Sequence, residues 1–196
     1  MKELKVLKTE FYAESSVKVA KILLGKLLVR ELPEGRLIGK IVEVEAYGGK
    51  DDPASHAYKG RTPRNQVMFG KPGLAYIYFT YGMHYCFNVK AEKEGIPGAV
   101  LIRALEPIEG IEIMKRNRQV QEITELTNGP AKLTRAMKIT TELNGWDLTI
   151  GEKLFICAPP REEKFEIVAT PRIGIRVGTE KLWRFYIKDN AFVSVK

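Results

Sequence analysis

The stretch VEVEAY, residues 42–47, alternates apolar and polar side chains and predicts a β-strand with two unlike faces. Positions 42, 44 and 46 would face the core, and the opposite face would carry Glu43, Glu45 and Tyr47. A pair of glutamates on such a strand is most often a solvent-facing row. A functional role for either glutamate therefore needs support from the rest of the chain.

The segments around this strand predict a mixed α+β fold. Short runs of β-forming residues recur between turn residues, and three segments have the apolar spacing of helices. The predicted strands span residues 26–30, 37–47, 74–79, 85–90, 99–104, 154–157, 166–169, 173–177 and 185–187. The predicted helices span residues 14–24, 107–118 and 130–138, the last capped by Thr127 or Asn128. Because helices and strands do not alternate regularly, we expect one domain over residues 1–196, built on a curved, mostly antiparallel sheet flanked by helices.

The charge balance favours an anionic partner. The chain has 196 residues, and its 32 Lys and Arg outweigh its 24 Asp and Glu, which gives a net charge of +8. Nucleic acid is the commonest anionic partner of a basic protein. A basic surface with no specific partner agrees equally well with the charge alone.

The cysteines and the N-terminal residues indicate the cellular compartment of the protein. Cys86 and Cys157 lie far apart in apolar stretches, which predicts buried free thiols rather than a disulfide, a zinc site or an iron–sulfur cluster. The first residues lack the apolar core of a signal peptide, and no stretch is long and apolar enough to cross a bilayer. We therefore expect a cytoplasmic protein that uses no metal and no cofactor.

Arg103 stands in the apolar run VLIRA, residues 100–104. Burying an arginine there is costly unless a carboxylate meets it, and Glu45 and Glu43 are both plausible partners. A carboxylate held by arginine stays ionised at neutral pH, as a general base must. A purely structural ion pair would also explain the pattern.

Tyrosines recur in the stretch from residue 74 to residue 85. Tyr76 and Tyr78 would share one face of a strand, and Tyr81 precedes Gly82, a residue suited to a sharp turn. Such a stripe is more often core than binding platform, but each buried tyrosine needs a partner for its hydroxyl. Aromatic faces are also where flipped nucleobases stack.

The segment 51–71 reads as a long loop, and loops of that length in compact domains are usually functional. It carries His56, close enough in sequence to share a site with Glu45. Its basic part has Thr62 and Arg64 available for phosphate contacts, and Lys132 lies in the first turn of the third predicted helix. Solvated basic side chains without a ligand are the competing interpretation.

Taken together, these segments resemble the alkyladenine (3-methyladenine) DNA glycosylase family. The likeness follows chain order over nearly the whole sequence, and several separate motifs agree. The matching strings are VEVEAY (42–47), RTPRN (61–65), KPG (71–73) running on to YGM (81–83), LIRALEP (101–107) and NGPAKL (128–133), with weaker matches in RIG (172–174) and WRFY (183–186).

The resemblance implies a role for each candidate residue. Glu45 would be the general base and Arg103 would help to hold the attacking water. The base pocket would be formed by Tyr47, His56, Tyr76, Tyr78 and Asn88. Tyr47 and His56 would lie on the two faces of the flipped purine, and Asn88 would help to reject guanine. The DNA contacts would be made by Tyr81 as the intercalating wedge and by Met83, His84, Thr62, Arg64 and Lys132. His84 departs from the family, because relatives often carry an aromatic residue beside the wedge.

The implied reaction is hydrolysis of the N-glycosidic bond of alkylated purines in duplex DNA by a monomeric enzyme. Such purines as 3-methyladenine and 7-methylguanine carry positive charge and leave without an acid, whereas hypoxanthine and ethenoadenine would be slower. Because no lysine lies in the core motifs, base removal without strand cleavage is expected. Two alternatives remain, a non-catalytic nucleic-acid-binding module and a carboxylate-based hydrolase of free nucleosides. A helix-hairpin-helix glycosylase is disfavoured, since neither a Gly-rich hairpin nor a cysteine cluster is present in the sequence.

Overall fold

The computed structural model of the chain describes residues 4–80 and 82–195. The strands are β1 (Leu27–Leu32), β2 (Gly35–Tyr47), β3 (Ala75–Thr80), β4 (His84–Lys90), β5 (Ala99–Glu109), β6 (Leu154–Cys157), β7 (Ile167–Thr170) and β8 (Arg184–Ile187). The α-helices are α1 (Thr9–Tyr12), α2 (Ser16–Leu23), α3 (Ile111–Arg118) and α4 (Pro130–Ala136). Short 3-10 helices span Gln66–Phe69, Ile123–Glu125 and Thr141–Leu143.

All eight strands join one antiparallel, curved sheet, and β2 is its central strand. The strand order is β3-β4-β5-β2-β1-β6. Strand β5 lies along one edge of β2, while β1 and then β8 share the other edge, and β7 pairs with β8. This confirms the predicted α+β class and antiparallel sheet. None of the described helices is long and apolar enough to cross a membrane.

The core lies on one face of the sheet. Val42, Val44 and Ala46 are fully buried there, as their alternation predicts, and helices α2, α3 and α4 cover this face. Burying such side chains contributes about 1.5–3 kcal/mol each. Cys86 and Cys157 are buried and free, which confirms the prediction for the thiols.

The predicted helix over residues 107–118 is wrong at its start. Strand β5 continues to Glu109 because Pro107 and Glu109 still pair with β2, opposite Gly39 and Ile38. The register shifts between these two pairs, and such an irregularity is where a sheet tolerates proline. Helix α3 begins only after Gly110, whose φ of 74° reverses the chain.

Two further predictions are wrong. Helix α4 begins at Pro130, as predicted, but its N-cap is Gly129, because the Thr127 hydroxyl donates to the carbonyl of Leu105 instead. Residues 173–177 form turns and bends rather than a strand, since Gly174 adopts a φ of 77°. These turns line the cavity described below.

Gly110→Ala should destabilise the fold, because the new Cβ would lie 2.5 Å from the carbonyl oxygen of Arg36 at a left-handed φ. The backbone strain and the clash together predict a loss of about 3 kcal/mol in the free energy of unfolding, measurable by denaturant titration. Gly145→Ala is the matched control, since Gly145 has a φ of 84° and open space around it. Equal losses in the two variants would show that the clash contributes nothing.

Candidate active site

Glu43 and Glu45 project from β2 on the face opposite the core, and both are 0% exposed. The solvent-facing row that is usual for such a strand is therefore excluded. Strand β8 pairs with β2 beside them, from Glu43 opposite Tyr186 to Glu45 opposite Arg184. Two buried carboxylates need cationic or hydrogen-bonding partners, and the structure gives each a different set.

Glu45 accepts two hydrogen bonds, forms an ion pair with Arg103 and still faces a cavity. Its Oε1 accepts from the backbone N–H of Ile173 at 2.7 Å and lies 3.3 Å from a terminal nitrogen of Arg103. Its Oε2 accepts from the Tyr47 hydroxyl at 2.8 Å. Burial, followed by the negative charge of Glu45, raises the pKa of Tyr47, so its hydroxyl remains a donor. Glu45 is thus held in one orientation as an acceptor.

Glu43 is enclosed by cations and by the C-terminal segment. Its Oε1 accepts from Arg103 Nε at 2.9 Å, from Arg184 Nε at 2.8 Å and from the Ser194 hydroxyl at 2.9 Å. Its Oε2 accepts from the Ser194 N–H at 2.6 Å. Burial acts to raise the pKa of Glu43, but Arg103, the Ser194 N–H and Arg184 outweigh it and lower that pKa. Glu43 is an anchor rather than a reacting group.

Arg103 bridges the two carboxylates from β5. The register of β2 and β5 jumps from Glu43 opposite Ala104 to Val44 opposite Ile102, which leaves Arg103 without a paired residue on β2. Such a bulge redirects a side chain, and here Arg103 reaches both Glu43 and Glu45. The prediction that Arg103 meets a buried carboxylate is confirmed.

A cavity of about 370 Å³ opens in front of Glu45. That volume is within the range of small-ligand sites. The residues predicted to form the base pocket all line it, together with Arg103 and the turn at residues 173–175. They are Tyr47, His56, Tyr76, Tyr78 and Asn88.

The aromatic wall of the cavity is a connected cluster. The Tyr76 hydroxyl and His56 Nδ1 are hydrogen bonded at 2.8 Å, and the ring of His56 lies edge-on to Tyr78 with centroids 4.6 Å apart. Partial burial and then the positive charge of Arg64 lower the pKa of His56, which favours its neutral form at neutral pH. Burial raises the pKa of Tyr76 to about 12. This wall is therefore uncharged around neutral pH.

Asn88 and Arg64 close two edges of this wall. Asn88 is buried and its amide donates to the carbonyl of Tyr76 at 3.0 Å. The guanidinium of Arg64 lies 5.5 Å from the Tyr78 ring centroid and donates to the Phe79 carbonyl. Thr62 is held beside it by reciprocal hydrogen bonds with Asn65. Arg64 thus lies beside a residue of the aromatic wall, whereas Thr62 contacts Asn65 in the loop.

The other residues predicted to contact DNA lie around the β3–β4 hairpin. Met83 is 70% exposed and His84 is exposed, whereas Tyr81 falls outside the described residues. Lys132 donates to Glu125 at 2.6 Å and to Asn128 at 2.8 Å. It would have to release the Glu125 carboxylate in order to bind a phosphate.

A buried ion pair that the sequence analysis missed supports Tyr47. Arg172 and Asp52 form two hydrogen bonds of 2.7 Å, with both side chains fully buried. The Arg172 guanidinium lies 4.7 Å from the Tyr47 ring centroid and 5.3 Å from that of Trp183. Arg172 also precedes Ile173, whose N–H binds Glu45, so this pair fixes both the ring and the donor. The RIG motif was the available signal.

The described residues include no group of three or more His, Cys, Asp or Glu side chains placed to hold a metal ion. The polar groups that line the cavity are instead one carboxylate, one guanidinium, one imidazole, one amide, one thiol and hydroxyls. Such a set can orient a water against an electrophilic carbon and receive its proton.

Comparison with known proteins agrees with this arrangement. Residues 10–191 match the family model described as methylpurine-DNA glycosylase. The chain belongs to the methylpurine-DNA glycosylase family. It is 53% identical over 191 residues to a protein of Carboxydothermus hydrogenoformans named "Putative 3-methyladenine DNA glycosylase", which covers 97% of this chain and 100% of the relative. Proteins of the same name from Clostridium acetobutylicum and Methanocella arvoryzae are 51% and 50% identical, with at least 95% of each chain covered. Members of this family are DNA glycosylases, a class of hydrolase, which makes DNA the class of substrate for this chain.

Glu43→Gln should destabilise the protein at neutral pH by about 3–5 kcal/mol, because Arg103 and Arg184 would lose their buried counter-charge. The folded pKa of Glu43 is below its ordinary value of 4.5, so its contribution is present above about pH 4.5 and is lost as pH falls through the folded pKa. Denaturant titrations between pH 7 and pH 3 should show a smaller acid-dependent loss in Glu43→Gln than in the native protein. Parallel curves would contradict the anchoring role.

Proposed function

We propose that this protein is a monofunctional, monomeric DNA glycosylase of the cytoplasm that removes alkylated purines from duplex DNA after flipping the damaged nucleotide into the cavity. The observation that carries the proposal is Glu45, a buried carboxylate that two hydrogen bonds and an ion pair hold at an aromatic cavity large enough for a base. 3-Methyladenine and 7-methylguanine are the expected substrates. Neutral lesions such as hypoxanthine and ethenoadenine would be released more slowly.

Glu45 would act as the general base. A water held between Glu45 and Arg103 attacks C1′ of the flipped nucleotide, and its proton passes to the Glu45 carboxylate. The C1′–N bond breaks, and its electron pair leaves with the purine. The carboxylate also stabilises the positive charge that develops on the sugar, as in inverting glycoside hydrolysis. Arg103 places a positive charge 3.3 Å from Glu45 Oε1.

The aromatic wall would select the cationic base. Tyr47 and His56 would lie on the two faces of the purine, and an aromatic face attracts a cation by about 0.5–2 kcal/mol. Because its lowered pKa favours the neutral form of His56 at neutral pH, this ring adds no charge that would repel a cationic base. A base that is already cationic needs no acid to leave, which agrees with a pocket whose one described carboxylate is the proposed base.

The proposal that the enzyme does not cleave the strand rests on the positions of the lysines. A covalent Schiff-base route needs a lysine at C1′, and no lysine is among the described residues that line the cavity. Lys90 is fully buried, and burial lowers its pKa to about 8, as a nucleophilic lysine would require. Its ammonium, however, donates to the carbonyls of Ala91, Glu92 and Ile96, which hold it within its own loop.

The test is single-turnover release of 3-methyladenine from an alkylated duplex by the native protein and by Glu45→Gln. The native protein should release the base, and the variant should bind the duplex equally well but release it at least about a hundredfold more slowly, as expected on loss of a general base. Equal release by both proteins would show that Glu45 is not the base. Binding without release by either would favour a non-catalytic module, and release from free nucleosides without salt dependence would favour the simple hydrolase.

Tyr47→Phe and Tyr47→Leu separate the two functions assigned to Tyr47. Both variants lose the hydroxyl that binds Glu45, but only the leucine variant also loses the aromatic face. The ratio of 3-methyladenine to hypoxanthine release should therefore fall about 2- to 30-fold from the phenylalanine to the leucine variant. Single-turnover rates on the two lesions give this ratio, and an unchanged ratio would rule out selection by the Tyr47 ring.

A further inference from the structure

A second cavity, a groove of about 990 Å³, lies on the far side of the β3–β4 hairpin from the base pocket. The two cavities share their boundary. Thr80 and Pro130 line the base pocket, while Met83 and Ala131 line the groove. The groove is strongly basic, since its lining includes five cationic side chains and one acidic one, Glu142. The cationic side chains are Arg30, Arg118, Lys132, Arg135 and Lys138.

Three guanidiniums in this groove hydrogen bond only to carbonyl groups, and the buried Nε of Arg30 has no hydrogen-bond partner among the described residues. Arg30 donates to the carbonyls of Glu31 and Lys153, and Arg118 donates to those of Leu126 and Glu125. Arg135 donates through Nε to the carbonyl of Asn117. Across residues 4–80 and 82–195, no carboxylate forms an ion pair with Arg30, Arg118 or Arg135. By contrast, Lys132 and Lys138 pair with Glu125 and Glu34.

Two of these guanidiniums repel each other. Burial, and after it the positive charge of Arg135, lowers the pKa of Arg118. The charge of Glu125 offsets this repulsion only in part, and an anionic ligand that lies between the two guanidiniums would relieve the rest. A guanidinium fork is also well suited to a phosphate.

The position of the groove decides which phosphates it meets. A nucleotide flipped into the base pocket must come from a strand that passes over that pocket. In the proposed complex the hairpin, with Met83 exposed next to its turn, would stand between the two backbones of the duplex. The groove on the far side of the hairpin would then face the complementary backbone.

We propose that the groove formed by Arg30, Arg118 and Arg135 binds phosphates of the undamaged strand. This inference rests on the proposed function and extends it, because it makes duplex DNA rather than single-stranded DNA the preferred substrate. Phosphate contacts of this kind carry no sequence information, but they fix the orientation of the protein on the duplex.

Arg135→Gln is the variant that tests the proposal, since Arg135 is exposed and its one described hydrogen bond is to Asn117. The probes are a lesion-strand oligonucleotide with a tetrahydrofuran abasic-site analogue, alone and annealed to its complement. Near 0.1 M salt, the variant should bind the duplex about five- to tenfold more weakly. The magnitude of the negative slope of log K against log salt concentration should decrease by about one. Its affinity for the single strand should not change.

Arg161→Gln is the matched control, because Arg161 is exposed and lines neither cavity. It should leave the affinity for both probes unchanged. Arg118→Gln should repeat the effect of Arg135→Gln, with thermal unfolding of each variant measured to show that it is folded. Equal weakening on single strand and duplex would overturn the assignment to the undamaged strand, and unchanged duplex binding would overturn the groove as a DNA site. Base release by the native protein is measured separately, so failure of the proposed function is distinguishable.

Discussion

Burying Glu43 on the central strand without a cation would cost several kcal/mol. Several segments beside β2 therefore supply cations and hydrogen-bond donors to this one carboxylate. Arg103 reaches it from β5 across a register shift, Arg184 from β8, and Ser194 from the C-terminal segment. These contacts join parts of the chain up to 151 residues apart. A buried pair of this kind is weak evidence for stability in itself, but it fixes which segments must lie against β2.

That constraint leaves the neighbouring Glu45 available for chemistry. Because Arg103 is already held through Nε by Glu43, it presents a terminal nitrogen to Glu45 in a fixed position. The Arg172–Asp52 pair holds the other side of the site. Arg172 lies against the Tyr47 ring and directly precedes Ile173, whose N–H donates to Glu45. The two carboxylates are two residues apart on the same face, yet one is surrounded by protein and the other faces a cavity. Preorganisation of this kind is where catalytic electrostatics are strongest.

The features that depend on neighbouring residues could be predicted from the sequence. The alternation around Glu45 fixed the strand and its two faces, and the apolar run around Arg103 required a buried carboxylate. Which glutamate takes Arg103 Nε depends on the β2–β5 register shift, which has no signature in the chain. The partners of the Arg172–Asp52 pair are 120 residues apart, so no local pattern predicts their contact. Residues 173–177 alternate like a strand but form turns at the cavity, where Gly174 adopts a left-handed φ. The predicted helix start at Pro107 was wrong for a similar reason, since pairing with Gly39 on another strand outweighed the local helical spacing.

Two carboxylates on one face of β2 thus have separate roles, with Glu43 holding the fold and Glu45 proposed to carry out the chemistry. The most direct measurement is the single-turnover rate of 3-methyladenine release by Glu43→Gln per folded molecule, at a temperature well below its unfolding midpoint. This rate should stay within about tenfold of the native rate, because the Tyr47 hydroxyl and the Ile173 N–H still hold Glu45 even though Arg103 loses its Nε partner and stability is reduced. A stable Glu43→Gln variant that had lost base release altogether would contradict these separate roles.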